Sequence, residues 1–245
     1  MKKIKKYVFV TKKTYAKFLH RCQNLLTPLL QELKNLGIEA KLYLVGSGKH
    51  SIVMQLVIDG EKKAFDIDFN LEITLEDLPK KYRELEYLKE TIRSTLNKIL
   101  HKTDYFSDGR DSTSVLSVPV HFEDDLTKTK FSFDIAIVSR NKNGDLQKIK
   151  HIKENDSFTW NLIKDSKDIE LKAEKLKSAG LWKNVREQYR ILKNRFIDDE
   201  NHPSCVCYIM AVNNIYTQAG DVHSSFYQSH FNPNWDSVGD SAEDD

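Results

Sequence analysis

The sequence predicts an α+β fold in which a mixed sheet with flanking helices is followed by a C-terminal helical lobe. Three observations predict it. Apolar residues recur at helical spacings of three and four over 11–36 and again over 76–101. Between and after these stretches, short segments alternate apolar and polar residues in strand fashion. Beyond about residue 150 the strand pattern gives way to helical spacing.

In the first helix, Tyr15, Phe18, Cys22, Leu25, Leu26, Leu29 and Leu33 share one face. Pro28 predicts a kink or a split into two helices, and Gly37 is a good C-terminal stop. Strands are predicted at 40–45, 52–58 and 64–73. Asp59-Gly60 opens the connection between the second and third, which predicts that these two pair as a hairpin. Helical spacing returns over 76–101, with Leu85, Leu88, Ile92, Leu96, Ile99 and Leu100 apolar. Residues 115–122 and 131–138 read as two more strands, and Asn143-Gly144 as the next turn. Residues 168–178, 182–197 and 203–217 read as helices, the last opening on Pro203. The domain reading is a first lobe over 1–150 with 11–36 as its helical spine, a helical lobe over 151–220, and a disordered polar and acidic tail over 221–245. A cleft between two such lobes is a natural ligand site.

Composition narrows the class. No apolar run approaches the roughly 18 residues that a membrane-spanning helix needs. The basic start, Met1 to Lys6, is followed only by Tyr7-Val8-Phe9-Val10, which is not a secretory signal. Three cysteines, an odd number, argue against a disulfide framework and fit a cytoplasmic protein. The net charge of +2 is uneven, because the last ten residues hold five acids and no Lys or Arg. The rest of the chain therefore sets 38 basic residues against 31 acidic ones. A mildly positive body suits an anionic ligand such as a nucleoside triphosphate, and it is equally a lysine-rich solvated surface.

The chemistry-bearing segment is Phe65-Asp66-Ile67-Asp68-Phe69. Side chains of a strand alternate between faces, so the three apolar residues bury one face while Asp66 and Asp68 project together from the other. Two close carboxylates repel and call for a cation, and hard oxygen ligands suit magnesium, or manganese in its place. Phe131-Ser132-Phe133-Asp134-Ile135 repeats the pattern with a third acid. If the two strands are neighbours, Asp66, Asp68 and Asp134 form a catalytic two-metal site for in-line displacement. Upstream, Val45-Gly46-Ser47-Gly48 ends a strand in a small-residue turn that admits phosphate oxygens to backbone N–H groups. Taken alone, Gly46-Ser47 is ordinary turn chemistry and the acid pair is equally an exposed sheet face. Their order along the chain shifts the balance.

That order, Gly46-Ser47, a long hairpin, Phe65 to Phe69, then Phe133-Asp134-Ile135, resembles the polymerase-beta-type nucleotidyltransferase superfamily. Within it, the chain is similar to the cyclic GMP–AMP synthase-like branch, which includes the bacterial cyclic-oligonucleotide synthases. Thr159-Trp160-Asn161-Leu162, Leu192 to Phe196 and Pro203 to Val206 resemble stretches of that branch's later part. The resemblance implies the nucleotidyltransferase fold. It implies that Gly46 and Ser47 contact the donor triphosphate and that Asp66, Asp68 and Asp134 bind magnesium, with Asp134 nearest the acceptor hydroxyl. It also implies that Arg186 or Lys193, with Ser204, touches the phosphates; these cations share a helix face with Arg190, which is equally a solvated charged face. The implied activity is magnesium-dependent nucleotidyl transfer from ATP or GTP, giving a cyclic di- or oligonucleotide second messenger in a bacterial cytoplasm, in signalling or antiviral defence. Asn161 stands where the branch carries Arg, and Cys205 where it carries a base-stacking aromatic, so base recognition departs from the pattern. That departure leaves room for an activating protein or ligand. No Cys precedes Arg186 in that region, so the zinc insertion of the DNA-sensing animal enzyme is lacking and DNA activation is not implied.

Two other function classes stay open: transfer to a protein, an RNA end or a small molecule, and a non-catalytic nucleotide-binding regulatory module. His202 to Cys207 holds metal-ligand types, but helical geometry sends Cys205 and Cys207 to different faces. Cys22 reads as core, and Trp160, Trp182 and Tyr189 read as core more readily than as base-stacking residues.

Overall fold

The computed structural model describes residues 3–103, 107–121, 129–163 and 167–221. The chain divides into two compact units, residues 1–165 and 166–245.

The first unit opens with strand β1 (Lys5–Phe9) and helix α1 (Lys12–Asn35). Thr11 caps α1, its hydroxyl accepting from Thr14 N–H. Gly37 closes it as expected: Gly37 N–H donates to Lys34 O and Ile38 N–H to Leu33 O, which satisfies two end carbonyls. Pro28 lies inside α1 without dividing it into two helices. The buried stripe Phe18, Cys22, Leu25, Leu26, Leu29 and Leu33 packs into the core and outweighs the one backbone bond that proline forfeits.

Then come β2 (Ala40–Leu44), the four-residue helix α2 (Gly46–Lys49), β3 (Met54–Ile58), β4 (Glu61–Lys62) and β5 (Asp66–Ile73). The Asp59-Gly60 turn forms, but β3 does not pair with β5. It pairs with β1 and with the two-residue β4, making a small separate sheet. The longer β5 finds its partners elsewhere, in β2 and β8. Helix α3 (Leu85–Leu100) begins nine residues later than the spacing suggested. Pro79 disfavours helical geometry in the residue before it, and only a single 3-10 turn, Lys80–Tyr82, precedes α3.

Strands β6 (Arg110–Asp111), β7 (Leu116–His121), β8 (Thr129–Arg140), β9 (Leu146–Ile152) and β10 (Ser157–Leu162) complete the main sheet. Its order is β10-β9-β8-β5-β2, with β7 on the first half of β8 and β6 on β7. The β5–β8 pair is parallel and the other pairings are antiparallel, so the sheet is mixed as expected. Residues 151–162, expected to open the helical lobe, are edge strand instead, and the first unit runs to 165 rather than 150. Lysine-rich β9 lacks the apolar alternation that marks a strand in sequence, whereas β10 does alternate, with Phe158, Trp160 and Leu162 between Ser157, Thr159 and Asn161.

The core is built by α1, α3 and one face of the sheet. Phe65, Ile67, Phe69 and Leu71 of the β5 stretch, and Phe131, Phe133, Ile135 and Ile137 of β8, are buried there. Phe18 of α1 lies against Phe65 and Phe131, with ring centroids 5.8 and 4.5 Å away. Burying such rings is worth about 2–3 kcal/mol each, which fixes the register: a slip of one residue would expose every ring and bury every acid.

The second unit holds α4 (Lys167–Ser178), α5 (Trp182–Arg195) and α6 (Ser204–Asp221). Helix α6 packs on both others through Cys207, Ala211, Val212 and Ile215, against Ala173, Leu176, Val185, Tyr189 and Leu192. Asp221, assigned to the tail, ends α6; the rest of the tail, 222–245, lies outside the described residues. Among the described residues no helix is long and apolar enough to cross a membrane.

Candidate active site

The alternation of β5 and β8 does what the sequence pattern required. Each apolar residue is inside, and Asp66, Asp68 and Asp134 share the opposite face. The parallel register sets Asp68 directly across from Asp134, and Asp66 across from Ser132. Adjacent strands run about 4.8 Å apart, so the acids are neighbours although they lie far apart in sequence.

The surroundings disfavour negative charge. Burial, then the charges of Asp134 and Asp66, pushes the Asp68 carboxyl up to about 6. Burial also raises Asp134, and a hydrogen bond from Ser117, its antiparallel partner on β7, offsets part of that rise. The remaining oxygen, Asp134 Oδ1, is buried without a hydrogen-bond partner. The third acid, Asp66, is exposed, and Ser132 Oγ donates to its Oδ1.

The turn closes on the acids. Val45 N–H donates to the backbone oxygen of Asp68 at 2.9 Å. Gly46 follows with φ of +59°, and a Cβ there would stand 2.6 Å from Asp68 Oδ2. Both the left-handed backbone and the close carboxylate demand glycine. Ser47, half-buried, is the second residue of the short α2, and its carbonyl accepts from Ile52 N–H at 3.0 Å. Beneath the turn, a Cβ on Gly48 would stand 2.6 Å from Tyr15 Oη. That hydroxyl is buried without a partner, and burial, with Cys22 and Asp68 nearby, pushes the phenol up to about 12.

These residues fit a hard divalent cation. The donors are carboxylates on one rigid face, their surroundings penalise uncompensated charge, and Asp134 Oδ1 has no hydrogen-bond partner among the described residues. Among the described residues, no three His, Cys, Asp or Glu side chains already converge closely enough to hold an ion. A cation bound there would have to draw the carboxylate oxygens together.

In the second unit, Lys193 and Arg186 are half-buried and Ser204 is exposed, at the start of α6. Lys193 Nζ donates to Ser204 Oγ at 2.8 Å, joining α5 to α6. Arg190, grouped with them by spacing, is instead paired with Glu187. Tyr189 is core, whereas Trp182 and Trp160 are half-buried. Trp160 packs on the core from edge strand β10 and lines a cavity of about 220 Å³ with Leu75, Leu78 and Tyr82. Cys205 is exposed and Cys207 buried, so they do face apart, and Cys22 is core.

Ser117, Ser132 and Tyr15 were not singled out in the sequence. The serines were readable, since each steps in twos with apolar neighbours onto the face of the acids. By its spacing Tyr15 is one more residue of an apolar stripe, and nothing local marks where its hydroxyl ends.

No family model matches the chain, and no curated protein matches it. Solved structures do. The CD-NTase CdnG of Bradyrhizobium diazoefficiens, in complex with GTP, matches with a TM-score of 0.52 and 13% identity over 84% of this chain and 67% of its own. Vibrio cholerae DncV in its 3'-deoxy GTP bound form matches with a TM-score of 0.50 and 12% identity over 76% of this chain and 49% of its own. Escherichia coli MS115-1 CdnC with ATP matches with a TM-score of 0.49 and 18% identity over 83% of this chain. The chain spans 59% of CdnC and about half of DncV. With its parallel β5–β8 pair, three acids on one sheet face and a glycine turn closed on the second of them, the chain has the nucleotidyltransferase fold, which it shares with CdnG and DncV.

Proposed function

We propose that this protein is a magnesium-dependent nucleotidyltransferase of the cyclic-oligonucleotide synthase type. The observation that carries the reading is the rung formed by Asp68 and Asp134, with Asp66 on the same face and Gly46 packed on Asp68. Support comes from the fold shared with CdnG, a protein described in complex with GTP. The substrates are ATP or GTP. Gly46 and Ser47 receive the donor triphosphate, and Arg186, Lys193 and Ser204 are the phosphate ligands of the helical unit. Asp66, Asp68 and Asp134 would hold magnesium, which would supply charge compensation for the phosphates and make the attacking hydroxyl more acidic. In this reading Asp134 is the acid nearest the attacking hydroxyl, whose proton passes to solvent as its oxygen attacks. The hydroxyl oxygen bonds to the α-phosphorus as the bond to pyrophosphate breaks. The product is a cyclic di- or oligonucleotide messenger of a bacterial signalling or defence system, made in the cytoplasm under an activating protein or ligand.

The test is incubation with labelled ATP, GTP, CTP and UTP, followed by product analysis with and without phosphatase. A phosphatase-resistant nucleotide is expected. Label on a protein, RNA end or small molecule would replace the product class, and absence of pyrophosphate would leave a nucleotide-binding module. Asp66→Ala and Asp68→Ala should each lower pyrophosphate release by several orders of magnitude without unfolding the chain. Undiminished release by either variant would refute the mechanism.

A further inference from the structure

Two of the three acids share a feature that the proposed reaction does not use. Asp66 and Asp134 each have one carboxylate oxygen engaged by a serine of a neighbouring strand. Ser132 Oγ donates to Asp66 Oδ1 across the β5–β8 rung that pairs those two residues. Ser117 donates to Asp134 across the β7–β8 rung that pairs them. Asp68 Oδ2 lies against Gly46, where a Cβ would come within 2.6 Å. The opposite oxygen of Asp134 is buried with no partner. The pattern is two consecutive polar rungs on one sheet face: Asp66 with Ser132, then Asp68 with Asp134 and Ser117.

A strand fixes where a carboxylate begins but not how it is rotated, because the terminal torsion of Asp is broad and roughly two-fold. A hydroxyl bonded to one oxygen removes that freedom and sets the direction of the other. Serine is suited to this task. It is neutral, so it adds no charge to a crowded anionic face, and its short side chain reaches only its own rung. An aliphatic residue would fit the same pleat without orienting anything.

Resting on the metal-site reading above, we infer that Ser132 and Ser117 are positioning residues of the cation site. Each holds one oxygen of its acid and leaves the other for the cation. They belong to a shell outside the ligands, where such partners commonly govern affinity by 10–100-fold.

The test uses the full chain and Mn2+ alone, followed through the loss of the free-ion electron paramagnetic resonance signal. The wild type should bind, and Asp68→Asn should not. Ser132→Ala and Ser117→Ala should each weaken binding by about 10–100-fold. Ser132→Thr and Ser117→Thr keep the hydroxyl and should bind nearly as the wild type does. Ser132→Cys and Ser117→Cys match serine in size but donate poorly, so they should fall with the alanine variants, and they carry the test if an alanine variant fails to fold. A role in packing alone would spare the cysteine variants. Alanine and cysteine variants that bind within about two-fold of the wild type, while Asp68→Asn does not bind, overturn the inference and leave the metal-site reading standing. A wild type that does not bind, or an Asp68→Asn that binds equally well, overturns that reading and the inference with it.

Discussion

Asp68→Asn in the cation-free protein should reveal how much the fold gives up for its site. Asp68 titrates at about 6 in the folded chain against an ordinary 3.8, chiefly because it is buried and then because Asp134 and Asp66 are close. A folded-state pKa above the unfolded one means that folding favours the protonated acid. The penalty is therefore fully present above pH 6, shrinks as pH falls through 6, and is gone below about 3.8. A rise of about two units is worth about 3 kcal/mol. Asparagine at 68 has its own packing and hydrogen-bond cost, but that cost does not depend on pH. The quantity to measure is thus the stability difference between variant and wild type at pH 8 minus the same difference at about pH 4.5. Urea unfolding in EDTA gives both. About 1 kcal/mol of the penalty remains at pH 4.5, so the variant should gain about 2 kcal/mol on the wild type across that interval. A difference that stays constant with pH, or moves the other way, would refute the placement of Asp68 in a desolvated cluster of acids. Saturating Mg2+ at pH 8 should erase the gain, because only the wild type then recovers its compensation.

Three further outcomes are expected. Gly48→Ala puts a methyl 2.6 Å from Tyr15 Oη and 3.1 Å from Leu44 Cδ1; it should cost about 1–3 kcal/mol in thermal unfolding. Tyr15→Phe should recover part of that cost in the double variant, and strict additivity would contradict the contact. Lys89 is buried, pairs with Asp111 and donates to Ser112 O at 2.7 Å. Asp111→Asn leaves that cation without its carboxylate and should cost about 1–3 kcal/mol, less than a fully buried pair because Asp111 is partly exposed; Lys89→Met should cost less than Asp111→Asn, as denaturant curves would show. Gly46→Ala, with a Cβ 2.6 Å from Asp68 Oδ2, should lower pyrophosphate release by about 100-fold or more while leaving the helical content seen by circular dichroism unchanged.

The parts of the fold that were legible are those whose signal is local. The stripe of α1, the alternation of β5 and β8, and the Asp59-Gly60 and Asn143-Gly144 turns all declare themselves within a dozen residues. Pairing is not local. Asp59-Gly60 fixes a reversal of the chain, but nothing in it says that the returning arm is only Glu61–Lys62. Nor does it say that β3 will be shared with β1, five residues near the N-terminus whose alternation is too short to stand out. Strand β9 and the edge strand β10 draw their stability from hydrogen bonds to neighbours and from a few residues packed on the core, Ile149, Phe158 and Trp160. The acids were legible because a carboxylate inside an aromatic strand conflicts with its surroundings. The hydroxyls of Ser117 and Ser132 conflict with nothing, and their importance emerges only when the register is known.

The parallel pairing of β5 with β8 also bears on how the chain acquires its chemistry. A hairpin can close as soon as its turn is made, whereas this pair must wait for a crossover that includes α3 and β7, with rung partners 66 residues apart. Such non-local contacts form late and slowly, after a large loss of chain entropy. A nascent chain that has emerged only as far as β7 holds Asp66 and Asp68 but not Asp134, so the proposed site is incomplete however well its helices have formed. Anything that binds the completed triad binds only the fully closed sheet and shifts the folding equilibrium toward it. In a growing polypeptide, assembly of the site and completion of the domain are one event, and a thermal shift on adding ligand reports both.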